Sequence, residues 1–397
     1  MRRFRRWLRS NKSKRPDETA QQQEPDLPWL PAQPTPISSR SPQSQAAFFK
    51  LPWELRHQIL SKAFGDGTVH MDLRYRPPLL DFATSGGREP MHGGYPPMVE
   101  DLWIYGNPPR EPAPRDTECA WRWYSCRCHR SPKGFVFVPP FRDECLKGVS
   151  YCDEFPDVLD APQKCQLGVM GFLLSCKQAC ADSLAVLYAK NTVYLASQPL
   201  IEALVWQHSN WTSRPRIMGS GIQLVQSLHM RWDMSLFAQN DGAREAKDRK
   251  RLANYVKLIP KAFPDLRLLY IIFEDSLYDR TSCPSKNLEE IKSILLEPLL
   301  TLRTNFASLH DFSIALPEMV FWDFSGRIIE KQKQLWSPAE VAMMKPEEFF
   351  GPWVWYPFEA GMTPCESRKG QNGYWVKSGL ETSNFGWRPD GTKFFVI

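Results

Sequence analysis

The chain has 397 residues, of which 42% are hydrophobic and 13% aromatic. That excludes a wholly disordered polymer and leaves room for about two or three domains, or one large one. The formal charge of +6 is concentrated at one end: residues 1–15 hold eight Lys and Arg and no acid, so the remainder is nearly neutral. A basic groove for nucleic acid is therefore not expected in the folded part. No apolar run reaches the length of a membrane-spanning helix, and no apolar segment follows the basic start as a secretory signal requires. An intracellular setting, nucleus or cytoplasm, is the expectation.

The basic tail mixes cations with Phe4, Trp7 and Leu8. Such a segment suits nuclear import, weak attachment to an anionic membrane, targeting, or simple solvation. Residues 16–44 are rich in Pro, Gln and Ser and read as an extended linker. Residues 1–44 together are expected to be a disordered tail and linker.

Residues 45–75 read as one helix and one strand. Phe48 to Phe64 has helical spacing, with Leu51, Leu55, Ile59, Leu60 and Phe64 expected on one face and Pro52 in the first turn. Gly65-Asp66-Gly67 stops the helix, and Thr68 to Leu73 follows as a strand. Residues 76–165 are dominated by Pro, Gly and Cys and carry no helical period. They are expected to form an irregular insertion, partly ordered around Trp121, Trp123 and the cysteines.

Order returns over 166–317. A long helix is expected from Leu167 to Tyr188, with Val169, Met170, Leu173, Leu174, Leu184 and Leu187 apolar. A strand over 192–196 and a helix over 199–208 follow. Strands near 227, 267 and 312 are each separated by one helix. Leu228, Met230 and Trp232 alternate as on a one-sided strand, whereas 266–273 is apolar on both faces, as a doubly covered central strand must be. Repeated strand–helix units with right-handed crossovers predict an α/β fold with a mostly parallel sheet, or a degenerate leucine-rich-repeat-like curve. α+β is the alternative. Residues 318–397 form an aromatic-rich C-terminal extension, expected to pack on that body, with a turn at Pro389-Asp390-Gly391 between two short strands.

Chemistry-bearing motifs are few. Cys126, Cys128, His129, Cys145, Cys152 and Cys165 are thiols and an imidazole of the kind that hold tetrahedral zinc, and zinc would order an irregular insertion. No Cys-x₂-Cys pair is present, so disulfides and buried free thiols stand beside zinc as readings. Cys176 and Cys180, one helical turn apart, read as core. Gly219-Ser220-Gly221 lacks the Lys-Ser or Lys-Thr of a phosphate-cradling loop, and no metalloprotease, nucleophile-elbow or dinucleotide motif occurs. His57 is expected at the surface, and His70 and His229 are expected to be packed. No catalytic residue is assigned, and a non-enzymatic protein is expected. A zinc-stabilised structural or nuclear scaffold is one alternative, and an enzyme whose active site is dispersed along the chain is another.

Two stretches carry a resemblance. Phe49-Lys-Leu-Pro-Trp-Glu-Leu-Arg-His-Gln-Ile-Leu60 resembles the opening of the F-box motif at Leu51, Pro52, Glu54, Leu55, Ile59 and Leu60. Leu173-Leu-Ser-Cys-Lys-Gln-Ala179 with Val186-Leu-Tyr-Ala-Lys-Asn-Thr-Val193 resembles the second signature of a large fungal family of F-box-like proteins known only as a domain of unknown function. Cys128-His-Arg130 and Asp143-Glu-Cys145 match segments of that family's insertion. The resemblance spans roughly residues 48–275. It implies a substrate adaptor of a ubiquitin ligase, docking through those six residues onto a Skp1-like protein and holding an unknown substrate elsewhere. A complete F-box has further helices where this chain has a glycine turn and a strand, so the same leucines could instead pack inside the protein. Docking and self-packing require opposite faces of the helix to be exposed.

Overall fold

A computed structural model describes Leu27 and residues 46–76, 120–127, 169–206, 220–237, 242–274, 277, 288–333, 353–357, 373–378, 385–387 and 393–395. The basic tail and most of the linker and of the insertion lie outside these residues. The elements in chain order are α1 (Ala47–Lys50), α2 (Trp53–Phe64), β1 (Thr68–Arg76), β2 (Ala120–Arg127), α3 (Val169–Leu173), α4 (Lys177–Ala189), β3 (Thr192–Leu195), α5 (Gln198–Trp206), β4 (Ser227–Trp232), α6 (Gly242–Ala262) and β5 (Leu268–Phe273). They continue with α7 (Leu288–Ile291), a π-helical stretch (Lys292–Leu296), α8 (Glu297–Asn305), β6 (Asp311–Leu316), α9 (Glu318–Lys333), β7 (Trp353–Tyr356), β8 (Tyr374–Ser378), β9 (Phe385–Trp387) and β10 (Lys393–Phe395).

The fold is mixed α/β around a mostly parallel sheet. Eight strands pair in the order β2-β1-β3-β4-β5-β6-β8-β7. The six inner strands are parallel; β2 and β7 close the two edges antiparallel. β9 and β10 form a separate antiparallel pair. From β1 through β3, β4, β5 and β6 the sheet grows in one direction, in chain order. Right-handed crossovers that never reverse direction put their helices on one side of the sheet. The core agrees: Val193, Leu195, Leu228, Met230, Trp232, Leu269, Ile271, Phe312, Ile314 and Val376 share a cluster with buried residues of α5, α6, α8 and α9. Leu27, from the segment read as linker, packs against that same cluster.

The other parity of the strands forms a second, more polar surface. In register across the sheet stand His70, Tyr194, His229, Tyr270, Ser313, Trp375 and Trp355. His70 and Tyr194 lie ring to ring at 4.7 Å, and His229 meets Tyr270 edge-on at 5.2 Å. The Lys377 ammonium sits 5.2 Å from the Tyr270 ring centre, and burial lowers its pKa. Tyr270 and Ile272 are buried here while Leu269, Ile271 and Phe273 are buried on the helical side, so β5 is covered on both faces.

Two long elements of the sequence reading are divided. Leu51 is extended, with ψ 146°, because the ring of Pro52 excludes the helical region for the residue before it. The helix therefore restarts at Trp53 with Pro52 as its N-cap. The helix expected from Leu167 breaks at Leu174 and Ser175, and Cys176 caps the second half, its Sγ accepting from Ala179 N–H at 3.3 Å. Cys176 is buried and Cys180 half-buried.

Buried phenols make the fold sensitive to alkali. Burial raises Tyr188 and Tyr356 to about 12 and also holds Tyr255, Tyr270 and Tyr374 well above the ordinary phenol value. In the unfolded chain these groups ionise near pH 10, so the folded state keeps protons that the unfolded state has released. Their contribution is whole below about pH 10 and is lost above it, at about 1.4 kcal/mol per pH unit for each phenol. Lys377 acts oppositely, since its burial penalty vanishes as it deprotonates, but one amine opposes five phenols. Denaturant melts between about pH 9 and 12 should show stability falling steeply from about pH 10 upward. A flat profile would contradict the burial of these rings.

Candidate docking site

α2 has two apolar stripes, and they face different ways. Arg56, Leu60 and Phe64 recur at four-residue spacing and turn toward the body. Leu60 is 2% exposed, whereas Leu55 and Ile59 are 45% and 47% exposed and Trp53 is 42% exposed. This corrects the expectation that Leu51, Leu55, Ile59, Leu60 and Phe64 share one face. Leu51 is half-buried in the break before the helix, and Pro52 and Glu54 are exposed. Of the six F-box-like positions, then, Leu60 anchors the helix to its own chain. Pro52, Glu54, Leu55 and Ile59 look outward.

What holds α2 is largely polar. It packs on α4, and the contact centres on Arg56, whose Nε donates to Asp182 Oδ2 at 3.0 Å. Gln178 Nε2 donates to the other oxygen of Asp182 at 2.6 Å. Arg56 Nη1 also donates to Leu51 O at 2.9 Å, closing the α1–α2 break. The C-terminus of α2 is tied by Asn191. Its Nδ2 donates to Phe64 O at 2.7 Å and Leu187 O at 3.1 Å, and its Oδ1 accepts from Gly67 N–H at 3.0 Å. One amide thus fixes the ends of α2 and α4 and the entry to β1. Phe172 of α3 fills the rest, meeting Phe48 edge-on at 5.4 Å and Phe64 at 6.2 Å.

Outside this anchorage lies an open groove of about 820 Å³, lined by His57, Gln58, Ile59, Ser61, Lys62 and Ala63 of α2 with Asp66 and Lys190. Asp66 holds a left-handed backbone, φ 57°, between two glycines, a conformation that Asp tolerates better than most residues. Its N–H donates to Lys190 O at 3.1 Å, joining the turn to the end of α4. His57 is half-buried and lies against Trp53 at 5.3 Å. The arrangement presents apolar side chains beside a charged groove.

Among the described residues no three His, Cys, Asp or Glu side chains are grouped to hold a metal. Cys128, His129, Cys145, Cys152 and Cys165 lie outside the described residues. Cys126 is in β2 opposite His70, but its side chain is outside them too. No helix among the described residues is long and apolar enough to cross a membrane.

The sequence reading did not find Arg56, Asp182, Asn191, Lys62 or Lys190. Arg56 and Asp182 are 126 positions apart, so no local period links them. Comparison with family models, with curated proteins and with solved structures gave no match.

Proposed function

We propose that the chain is a non-enzymatic protein-interaction module, an F-box-like adaptor that grips a Skp1-like partner through α2. The observation that carries the reading is the exposure of Leu55 and Ile59 while Leu60 and Arg56 anchor the same helix from behind. A helix fixed on one side and apolar on the other is built for helix-in-groove recognition. Large side chains left half in water are costly unless a partner covers them. Strands in chain order with helices on one face also match the layout of a degenerate leucine-rich-repeat-like curve. An intracellular location, nuclear or cytoplasmic, belongs to this proposal.

The test is a pull-down of purified Skp1 with the full chain. Wild type retains Skp1, and the Leu55→Asp/Ile59→Asp variant retains none, a loss of at least about 100-fold in affinity for two central apolar anchors. Equal retention by both would remove the adaptor role from this face.

A further inference from the structure

The outward surface of α2 is graded in charge. Glu54, Gln58 and Lys62 form one row at four-residue spacing, and Leu55 and Ile59 form the row beside it. Over about 12 Å of helix the surface passes from acidic through apolar to basic. Lys190 arrives at the basic end from a different element, the C-terminus of α4, and lines the same groove as Ile59 and Lys62. Asp66 is the one acid in that lining. Among the described residues neither lysine is in an ion pair with it or with any other carboxylate. Lys62 lies in the last turn of α2 and Lys190 caps the C-terminus of α4, so both stand near the negative end of a helix. Two lysines from separate elements against one aspartate leave the lining beside the exposed Ile59 net positive.

We infer that the groove beside Ile59 receives an acidic residue of the partner, placed between Lys62 and Lys190, at the end of an amphipathic segment whose apolar side chains cover Leu55 and Ile59. This rests on the reading of α2 as the docking helix and adds the chemistry and polarity of what docks. The apolar rows supply the buried area, and the charge gradient fixes which end of the partner lies over the α2 C-terminus. Complementary charges at the rim steer encounter and set register more than they add affinity. A partner with the same apolar face and a basic end would meet both lysines and be rejected.

The probe is a fluorescein-labelled amphipathic helical peptide with Leu and Ile four apart and two Glu at one end. Its control is the same peptide with Lys in place of Glu. Anisotropy is read with the full chain as wild type, as Lys62→Glu/Lys190→Glu, and as Leu55→Ala/Ile59→Ala. All four positions are exposed, and melting curves matched to wild type establish that the variants fold. The wild type binds the Glu peptide about tenfold more tightly than the Lys peptide, and the preference shrinks as salt rises from about 50 to 500 mM. Charge reversal inverts that preference, and the alanine pair weakens both peptides alike. If charge reversal leaves the preference unchanged, or the Glu peptide shows no binding, the inference is overturned. If the alanine pair also has no effect on Skp1 retention, the docking reading falls with it; if that effect persists, the docking reading stands without this groove.

Discussion

Replacing Arg56 by Ala should destabilise the protein by about 3 kcal/mol and free α2 from the body before the sheet melts. The magnitude follows from what the substitution leaves behind. Arg56 and Asp182 have side chains only 14% and 5% exposed, so removing the guanidinium leaves a buried carboxylate whose remaining partner is Gln178. An uncompensated buried charge costs several times more than a surface pair returns. The carbonyl of Leu51 loses its donor as well, so the break between α1 and α2 loosens. Arg56→Lys should recover little, because an ammonium cannot span Asp182 and Leu51 as the fork does. Arg56→Met with Asp182→Leu should recover most of the loss, since an apolar pair of similar volume removes both charges together. Urea melts of the four proteins decide this. An Arg56→Ala variant within about 0.5 kcal/mol of wild type would show that the helix is held by Leu60 and Phe64 alone.

The second large effect is expected in the core at Trp232. Its side chain is fully buried between Tyr255 at 5.1 Å and Phe273 at 5.5 Å, where β4, β5 and α6 meet. Trp232→Ala should cost about 3–5 kcal/mol, the sum of lost transfer energy and an unfilled cavity. Trp232→Phe should cost far less than its volume change suggests. The indole Nε1 is buried with no hydrogen-bond partner among the described residues, so Phe removes an unsatisfied donor along with the extra ring. A ratio of the two losses near one would mean that the indole nitrogen is satisfied in solution.

The sequence made the body legible because burial there follows strand period. The alternation of Leu228, Met230 and Trp232 marks a strand with one core face, and all three are buried on it. The unbroken run at 268–273 marks a strand covered on both faces, and the burial of Tyr270 and Ile272 opposite Leu269 and Ile271 follows. The aromatic end was expected to pack on the body. Tyr356 and Tyr374 do so by way of β7 and β8, which continue the sheet itself. A contiguous sheet across residues 311–378 has no local signature, because the register between β6 and β8 is a long-range choice.

The orientation of α2 was not legible for a related reason. Leu55 and Ile59 lie on one arc and Leu60 and Phe64 on the neighbouring one, so apolar spacing alone gives two faces and no way to rank them. The deciding residue is Arg56, which charge patterning assigns to water. It turns inward only because Asp182, from a helix 126 positions away in the chain, waits there. The breaks at Leu51-Pro52 and Leu174-Ser175 were local and could have been read: the first from the restriction a proline places on its predecessor, the second from a cap-forming side chain at Cys176. The cysteine-rich segment lies almost wholly outside the described residues.

The most direct measurement is a calorimetric titration of Skp1 into the full chain, with thermal melts of the same samples, for wild type, Leu55→Asp/Ile59→Asp and Leu60→Asp. The account predicts that wild type binds, that the double variant melts like wild type yet gives no heat of binding, and that Leu60→Asp melts early because its carboxylate enters the core. Unchanged binding by the double variant, or a collapse of its melting temperature equal to that of Leu60→Asp, would contradict a helix that gives one face to its own chain and the other to a partner.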